Sequence, residues 1–238
     1  HYSLNYGATF TYNTSGYSIA GENHHMDMDK SGTYLIGSSG DDGGGGWRGV
    51  WVGNGGPSVS NSKSDSTPGW KNFYHGSGPY GWTTCAMSYN GQYMLKVQAT
   101  NSKIYISSDY GVTWSLKKTL TYNTYDNIHN QKNTSSISET GQYMVYADEN
   151  NGIWLSIDYG NTWNQKFSPS VNVDWRGTAM SSDGSYIVAA GYNEYIYVST
   201  DYGENWEQLT QFGIKNWLKI AINASNEVYL TEYNGKLY

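Results

Sequence analysis

Apolar and polar residues alternate along the chain in short stretches, broken by clusters of Gly, Asn, Asp and Ser. A period of two predicts half-buried β-strands, and no stretch sustains the period of a helix. Three strand-and-turn stretches are nearly the same: KIYISSDYGVTW (103–114), GIWLSIDYGNTW (152–163) and YIYVSTDYGENW (195–206). Each reads as an alternating strand, a tight polar turn holding Gly, then Trp. The stretch YSLNYGATF (2–10) repeats the pattern with Asn5 for the Asp and Phe10 for the Trp. SKSDSTPGW (62–70) is a degraded copy in which Asp65 still precedes Trp70 but the Gly is displaced.

A second unit lies upstream of each copy. It reads apolar residue, short turn, Gly, then Tyr: Met28–Gly32–Tyr34, Met87–Gly91–Tyr93, Ile137–Gly141–Tyr143 and Met180–Gly184–Tyr186, with Ile222–Asn226–Val228 as a weaker version. Asn tolerates positive φ, so that last turn can still close. The apolar anchors recur every 42 to 59 residues. Four short antiparallel strands at such a period are the signature of a propeller blade. The expected fold is all-β, a single domain over 1–238 forming a five-bladed β-propeller of four-stranded antiparallel blades. The last blade begins near Leu218 and runs out at Tyr238 after its third strand starts. The N-terminal strand is expected to complete it, closing the ring and hiding two sheet edges.

The repeated turns resemble Asp boxes, also called BNR repeats, S-x-D-x-G-x-T-W. These occur in sialidases, sortilin-type receptors and a photosystem II assembly factor. The match is strong at Asp109–Trp114, Asp158–Trp163 and Asp201–Trp206, and partial at Asn5–Phe10. The resemblance implies the propeller fold and a structural role for the boxes. Elementary chemistry agrees. The Asp carboxylate accepts backbone N–H groups across the hairpin. Gly111, Gly160 and Gly203 supply the positive φ that a tight turn needs. The closing aromatic (Phe10, Trp70, Trp114, Trp163 or Trp206) packs between neighbouring sheets.

Composition narrows the function. Lys and Arg together number 14 against 20 Asp and Glu, a net charge of −6 that offers no footprint for nucleic acid. Apolar runs are too short to span a membrane. The single cysteine, Cys85, excludes an intrachain disulfide framework and is expected to be a small buried hydrophobe. The chain starts at His1 rather than Met, which suggests a processed protein or a segment of a longer one. No cofactor is expected.

Sialidases grip a substrate carboxylate with three arginines, whereas this chain has only Arg48 and Arg176. Their ring has six blades against five here. Other glycosidases need paired carboxylates. Asp27, Asp29, Asp126, Asp148, Glu149, Asp174 and Glu194 lie outside the boxes, in no recognised motif. In HHMDMD (24–29), His25, Asp27 and Asp29 share one strand face, a possible divalent-ion set. Met26 and Met28 look like core on the other face, and no metal is expected. Residues before the anchors (Asp27, Ala86, Ser136, Ala179, Ala221) are mostly small, as a narrow tunnel requires. Asp27 is the exception, read as a solvated carboxylate at one mouth or as a holder of a water or cation. The Gly-rich stretch 38–49 lacks the Lys-Ser/Thr of a phosphate loop and reads as an inserted loop.

Trp82, Trp175 and Trp217 each stand five residues before an anchor, where the chain crosses to the next inner strand. Exposed, they offer flat faces for sugar rings, with Asp174, Arg176, Thr83 and Lys219 nearby for hydroxyls. The alternative is that they pack between blades. The expected role is a non-enzymatic, extracellular or cell-surface recognition module that binds glycans. The alternatives are a structural subunit of a filament or surface array, built by propeller stacking or by exchange of the N-terminal strand between copies of itself, and a glycoside hydrolase or lyase. Sequons at Asn13, Asn133 and Asn223 matter only in a eukaryotic secretory setting.

Overall fold

A computed structural model describes residues 23–31, 33–39, 49–54, 70–72, 82–98, 102–120, 133–148, 152–168 and 173–238. They form four four-stranded antiparallel sheets and one of two strands. The first sheet holds β1 (Asn23–Met28), β2 (Tyr34–Ser39), β3 (Gly49–Asn54) and β4 (Trp70–Asn72) in that order. The second holds β5 (Trp82–Met87), β6 (Met94–Gln98), β7 (Lys103–Ser107) and β8 (Ser115–Thr119). The third holds β9 (Asn133–Ile137), β10 (Met144–Asp148), β11 (Gly152–Ser156) and β12 (Asn164–Phe167). The fourth holds β13 (Asp174–Met180), β14 (Ile187–Tyr192), β15 (Ile196–Ser199) and β16 (Glu207–Leu209). The fifth pairs β17 (Trp217–Ile222) with β18 (Val228–Glu232). Among the described residues the only helical element is a single 3-10 turn, Thr210–Phe212.

Burial follows strand position. Second strands such as MLKVQ of β6 and MVYAD of β10 are buried throughout, because another sheet covers each face. Outer strands such as SLKKT and NQKF are polar and largely exposed, which blunts the sheet edges. First strands β1, β5, β9, β13 and β17 neighbour one another in succession. Across them Thr84 Oγ1 meets Ser135 Oγ at 2.8 Å, and Thr178 N donates to Thr134 Oγ1 at 3.1 Å. Apolar clusters fill the gaps between sheets, with Trp163 buried among Leu95, Val97, Ile104 and Met144. Cys85 is buried beside Ile36, Met87 and Met94. Lys96 is buried as well, its Nζ 4.2 Å from the Trp114 ring centroid, and desolvation lowers its pKa to about 7.

The repeated turns explain themselves atom by atom. In the second sheet Asp109 Oδ1 accepts from Thr113 N at 2.8 Å and from Ser107 Oγ at 2.8 Å. Its Oδ2 accepts from Thr113 Oγ1 at 2.6 Å. Gly111 N donates to Ser107 Oγ at 2.9 Å, and Trp114 Nε1 to Gly111 O at 3.2 Å. Asp158 and Asp201 make the same set with Ser156 and Thr162, and with Ser199 and Asn205. Partial burial pushes the Asp158 carboxyl up. Hydrogen bonds from Thr162, Ser156 and Asn161 outweigh it and hold the group below the ordinary carboxylate value. Gly160 has φ +77°, and a Cβ there would stand 2.6 Å from Ile106 Cγ1 of the preceding sheet. Glycine is required twice over, for the turn and for the close approach.

Box turns and inner hairpins lie at one end of the sheets, the box face. Backbone bonds lace the inner hairpins together there: Lys30 N to Tyr89 O, Tyr89 N to Glu139 O, and Glu139 N to Ser182 O, at 2.9, 3.1 and 2.8 Å. The middle hairpin of the fourth sheet (193–195) and its link to the fifth (210–216) lie at the other end, the crossover face. Asn5, Phe10, Asn13, Arg48, Asp65, Asp126 and Glu149 fall outside the described residues. Trp70 opens β4 opposite Gly53.

Candidate functional site

The crossover face of the fourth and fifth sheets gathers the charged and aromatic groups that sequence reasoning marked. The inner strands carry a β-bulge at one recurring position: the register shifts between Asn23 and His25, Trp82 and Thr84, Trp175 and Gly177, and Trp217 and Lys219. A bulge re-aims the side chains around it. Here Trp175 and Trp217 turn inward and Arg176, the extra residue of its bulge, reaches the surface region.

Trp175 and Trp217 are therefore not sugar platforms. Both are 0% exposed. Trp175 packs with Val173, Ile153, Phe167 and Tyr197 between the third and fourth sheets. Trp217 packs with Val188, Ile196 and Leu230, and its Nε1 donates to Glu194 O at 3.0 Å. Packing between sheets is what these two rings do. Trp82 opens β5 at the same bulge position.

Asp174 and Arg176 do come together. Arg176 Nε lies 2.6 Å from Asp174 Oδ1, and Nη2 donates to Oδ2 at 2.7 Å, a two-pronged fork at the start of β13. Opposite Asp174 in the sheet stands Tyr192, 41% exposed, with the Arg176 guanidinium 5.9 Å from its ring centroid. Tyr233, 64% exposed, meets Tyr192 edge to face at 6.3 Å. Asn216 fixes this corner: its Oδ1 accepts from Asn193 N at 3.1 Å, and its backbone O accepts from Tyr233 N at 2.8 Å. Lys219 follows on β17. Desolvation of its ammonium, then the charge of Arg176, lowers its pKa. Sequence reasoning missed Tyr192 and Tyr233, because neither recurs between units: Tyr192 is placed by its register with Asp174 and Tyr233 by its contact with Tyr192.

The carboxylates weighed for catalysis or metal are engaged otherwise. Asp27 is half-buried, not a solvated group at a mouth. Its Oδ2 accepts Met87 N of the second sheet and its Oδ1 accepts Met28 N, both at 2.8 Å. Burial raises its pKa more than these two amides lower it. Asp29 Oδ1 accepts Tyr34 N at 2.6 Å, the bond that Ser88, Ser138 and Ser181 make in the other hairpins. Asp148 is buried and accepts from Ser102 Oγ at 2.5 Å and Tyr146 OH at 2.8 Å. The side chain of Asn223 holds its own turn, accepting from Ser225 N and Glu227 N at 2.9 Å. A small cleft of about 210 Å³ lies on the box side between Tyr93, Lys117, Tyr159 and Asn161. It falls below the ~300–1,000 Å³ of ordinary ligand pockets.

Residues 196–209, which span β15 and the third box, match the family described as BNR-Asp box repeat. No curated protein matches the chain. Among solved structures, YCF48 bound to D1 peptide is similar at 12% identity and TM-score 0.60, over 92% of this chain and 64% of that one. A chain of a nidogen/laminin complex is similar at 8% identity and TM-score 0.63, over 90% and 73%. A GH74 enzyme of Niastella koreensis is similar at 13% identity and TM-score 0.63, over 90% of this chain but only 33% of that one. The chain thus spans less than two thirds of the first and third. With 976 solved chains matching, the likeness speaks to fold and does not choose among functions. All three are β-propeller proteins, and the chain carries the Asp-box repeat on that same fold.

Proposed function

We propose that the chain is a non-enzymatic recognition module: a five-sheet ring, completed by its N-terminal segment, that binds glycans on the crossover face. The observation that carries this reading is the pair of exposed rings, Tyr192 and Tyr233, beside the Asp174–Arg176 fork. Sugar rings present flat C–H faces with hydroxyls around the rim. Exposed tyrosines stack on the former at little conformational cost, and a fixed carboxylate and guanidinium bond the latter. Lys219 and the Asn193–Asn216 corner add further polar contacts. The non-enzymatic part rests on the engagement of Asp27, Asp148 and Asp174, each held by amides, hydroxyls or Arg176 rather than poised as an acid–base pair. An extracellular or cell-surface setting is proposed on composition alone.

A second reading is favoured by two of the similar structures, one described with a bound peptide and one with laminin. On it, the same tyrosine-and-arginine corner takes a protein segment. Such residues serve protein interfaces equally well. A glycan array probed with the labelled chain separates the two. Saturable binding to a carbohydrate class supports the first reading, and silence across the array sinks it in favour of the second.

A further inference from the structure

Neighbouring sheets meet on the box face through the same positions each time. Tyr93 and Tyr159 stack between the second and third sheets at a centroid distance of 4.9 Å. Tyr34 and Tyr110, and Tyr143 and Tyr202, do the same at their own gaps, at 5.0 and 4.8 Å. Four further positions border such a gap. They are the residue after the box serine, the residue after the box tryptophan, the residue two further along that outer strand, and the residue after the glycine of the next box.

Between the third and fourth sheets these four are Ile157, Asn164, Lys166 and Glu204. Lys166 Nζ lies 2.6 Å from Glu204 Oε1, an ion pair that neutralises the gap. Between the second and third sheets they are Ser108, Ser115, Lys117 and Asn161. Lys117 Nζ donates to Asn161 Oδ1 at 2.9 Å. An amide oxygen orients the ammonium but carries no charge to cancel it, and leaves it with N–H groups to give. Serine in place of isoleucine and of asparagine leaves space, and here the structure has its cleft of about 210 Å³.

The chemistry of the cleft is one-sided. Among the described residues no carboxylate lies within ion-pair distance of Lys117. The hydroxyls of Ser108 and Ser115 bond to no described residue. Asp109 and Asp158 turn their carboxylates to their own boxes, toward Thr113 and Ser107 and toward Thr162 and Ser156. An uncompensated cation with two unengaged hydroxyls calls for a negative group rich in acceptor oxygens. Sulfate or phosphate offers more of them than a carboxylate, and in a tetrahedron that separate donors can reach. The space suits that size: at roughly 30 Å³ per water in the liquid it equals about seven waters, too little for a drug-sized ligand and enough for one oxyanion with part of its hydration.

We infer that the cleft between the second and third sheets binds a tetrahedral oxyanion group, sulfate or phosphate, through Lys117, Ser108 and Ser115. The site lies on the face opposite the Asp174–Arg176 corner and does not rest on glycan binding there.

The test titrates the nitrogen-15-labelled full chain at low ionic strength with sodium sulfate, sodium phosphate, methyl sulfate and sodium acetate, reading amide resonances. Sulfate or phosphate should shift the signals of Ser108, Lys117 and Asn161 saturably, at least about tenfold more tightly than acetate. Methyl sulfate separates the two sources of the group: tighter than inorganic sulfate, it supports the site as one for an ester, and weaker, as one for the free ion. Asn161→Glu and Ser108→Ile install side chains that the next gap already carries, so both variants should fold, and each should abolish the shifts. No saturable shift at these residues, acetate binding as tightly, or sulfate binding undiminished in Asn161→Glu overturns the inference. A Tyr192→Ala, Tyr233→Ala variant should keep the shifts, so this site and the glycan reading fail separately.

Discussion

The two ends of the sheets are built on opposite rules. On the box face three turns repeat one bonding pattern to within a few tenths of an ångström, and each tyrosine meets its neighbour at nearly one distance. On the crossover face the fourth and fifth sheets share a bulge and a buried tryptophan, and then diverge. Arg176 occupies one bulge and Leu218 the other, and Tyr192 faces Tyr233 across sheets. Repetition marks what every sheet needs in order to pack. Divergence marks where one surface can differ from all others, and that is where we propose recognition.

Breaking the shared scaffold should have the largest effect. Trp175→Ala empties a site buried between two sheets and should cost about 3–5 kcal/mol in denaturant unfolding, without any direct effect on a ligand. Gly160→Ala forces a Cβ into Ile106 at positive φ and should cost about 2 kcal/mol or more, whereas Gly213→Ala, at positive φ with no atom within 4 Å, should cost distinctly less. Asp158→Ala removes the acceptor of Thr162 N, Thr162 Oγ1 and Ser156 Oγ and should cost about 1–2 kcal/mol.

Acid sharpens the contrast more gently. The folded-state pKa values of Asp109, Asp158, Asp183 and Asp201 are all depressed. Depression below the unfolded value means that their contribution is present above that value and is lost as pH falls through the folded one. The part of thermal stability that these four carboxylates carry should hold from about pH 7 to 5 and fall below about pH 4. Asp158→Asn should flatten that fall. The smallest stability change belongs to Tyr192→Ala, expected within about 0.5 kcal/mol because the ring is exposed, while ligand binding drops.

Much of the architecture was legible in the sequence because the constraints are local. Asp109, Gly111 and Trp114 satisfy one another within a single turn, so their spacing recurs unchanged at Asp158–Trp163 and Asp201–Trp206. The tyrosine stacks were half-legible: the Tyr of each Asp-Tyr-Gly and of each Gly-x-Tyr recurs in print, but only coordinates reveal that they meet across sheets. For Trp175 and Trp217 the sequence left two readings open, surface platforms at chain crossings or packing between blades, and a bulge, which leaves no mark in composition, turned them inward. Tyr192 carried no signal because its partners, Asp174 and Tyr233, are set by pairing rather than by spacing. Asp27 was misread for a similar reason: its partner, Met87 N, belongs to another sheet.

The division of labour between the two ends is open to one calorimetric comparison. A carbohydrate selected on the array is titrated into the wild-type chain, into a Tyr192→Ala, Tyr233→Ala variant and into a Tyr110→Ala, Tyr159→Ala variant. The first variant should lose at least about tenfold in affinity, and the second should bind as the wild type does while melting lower. Full affinity in the first variant, or loss confined to the second, would contradict the assignment of binding to the crossover face.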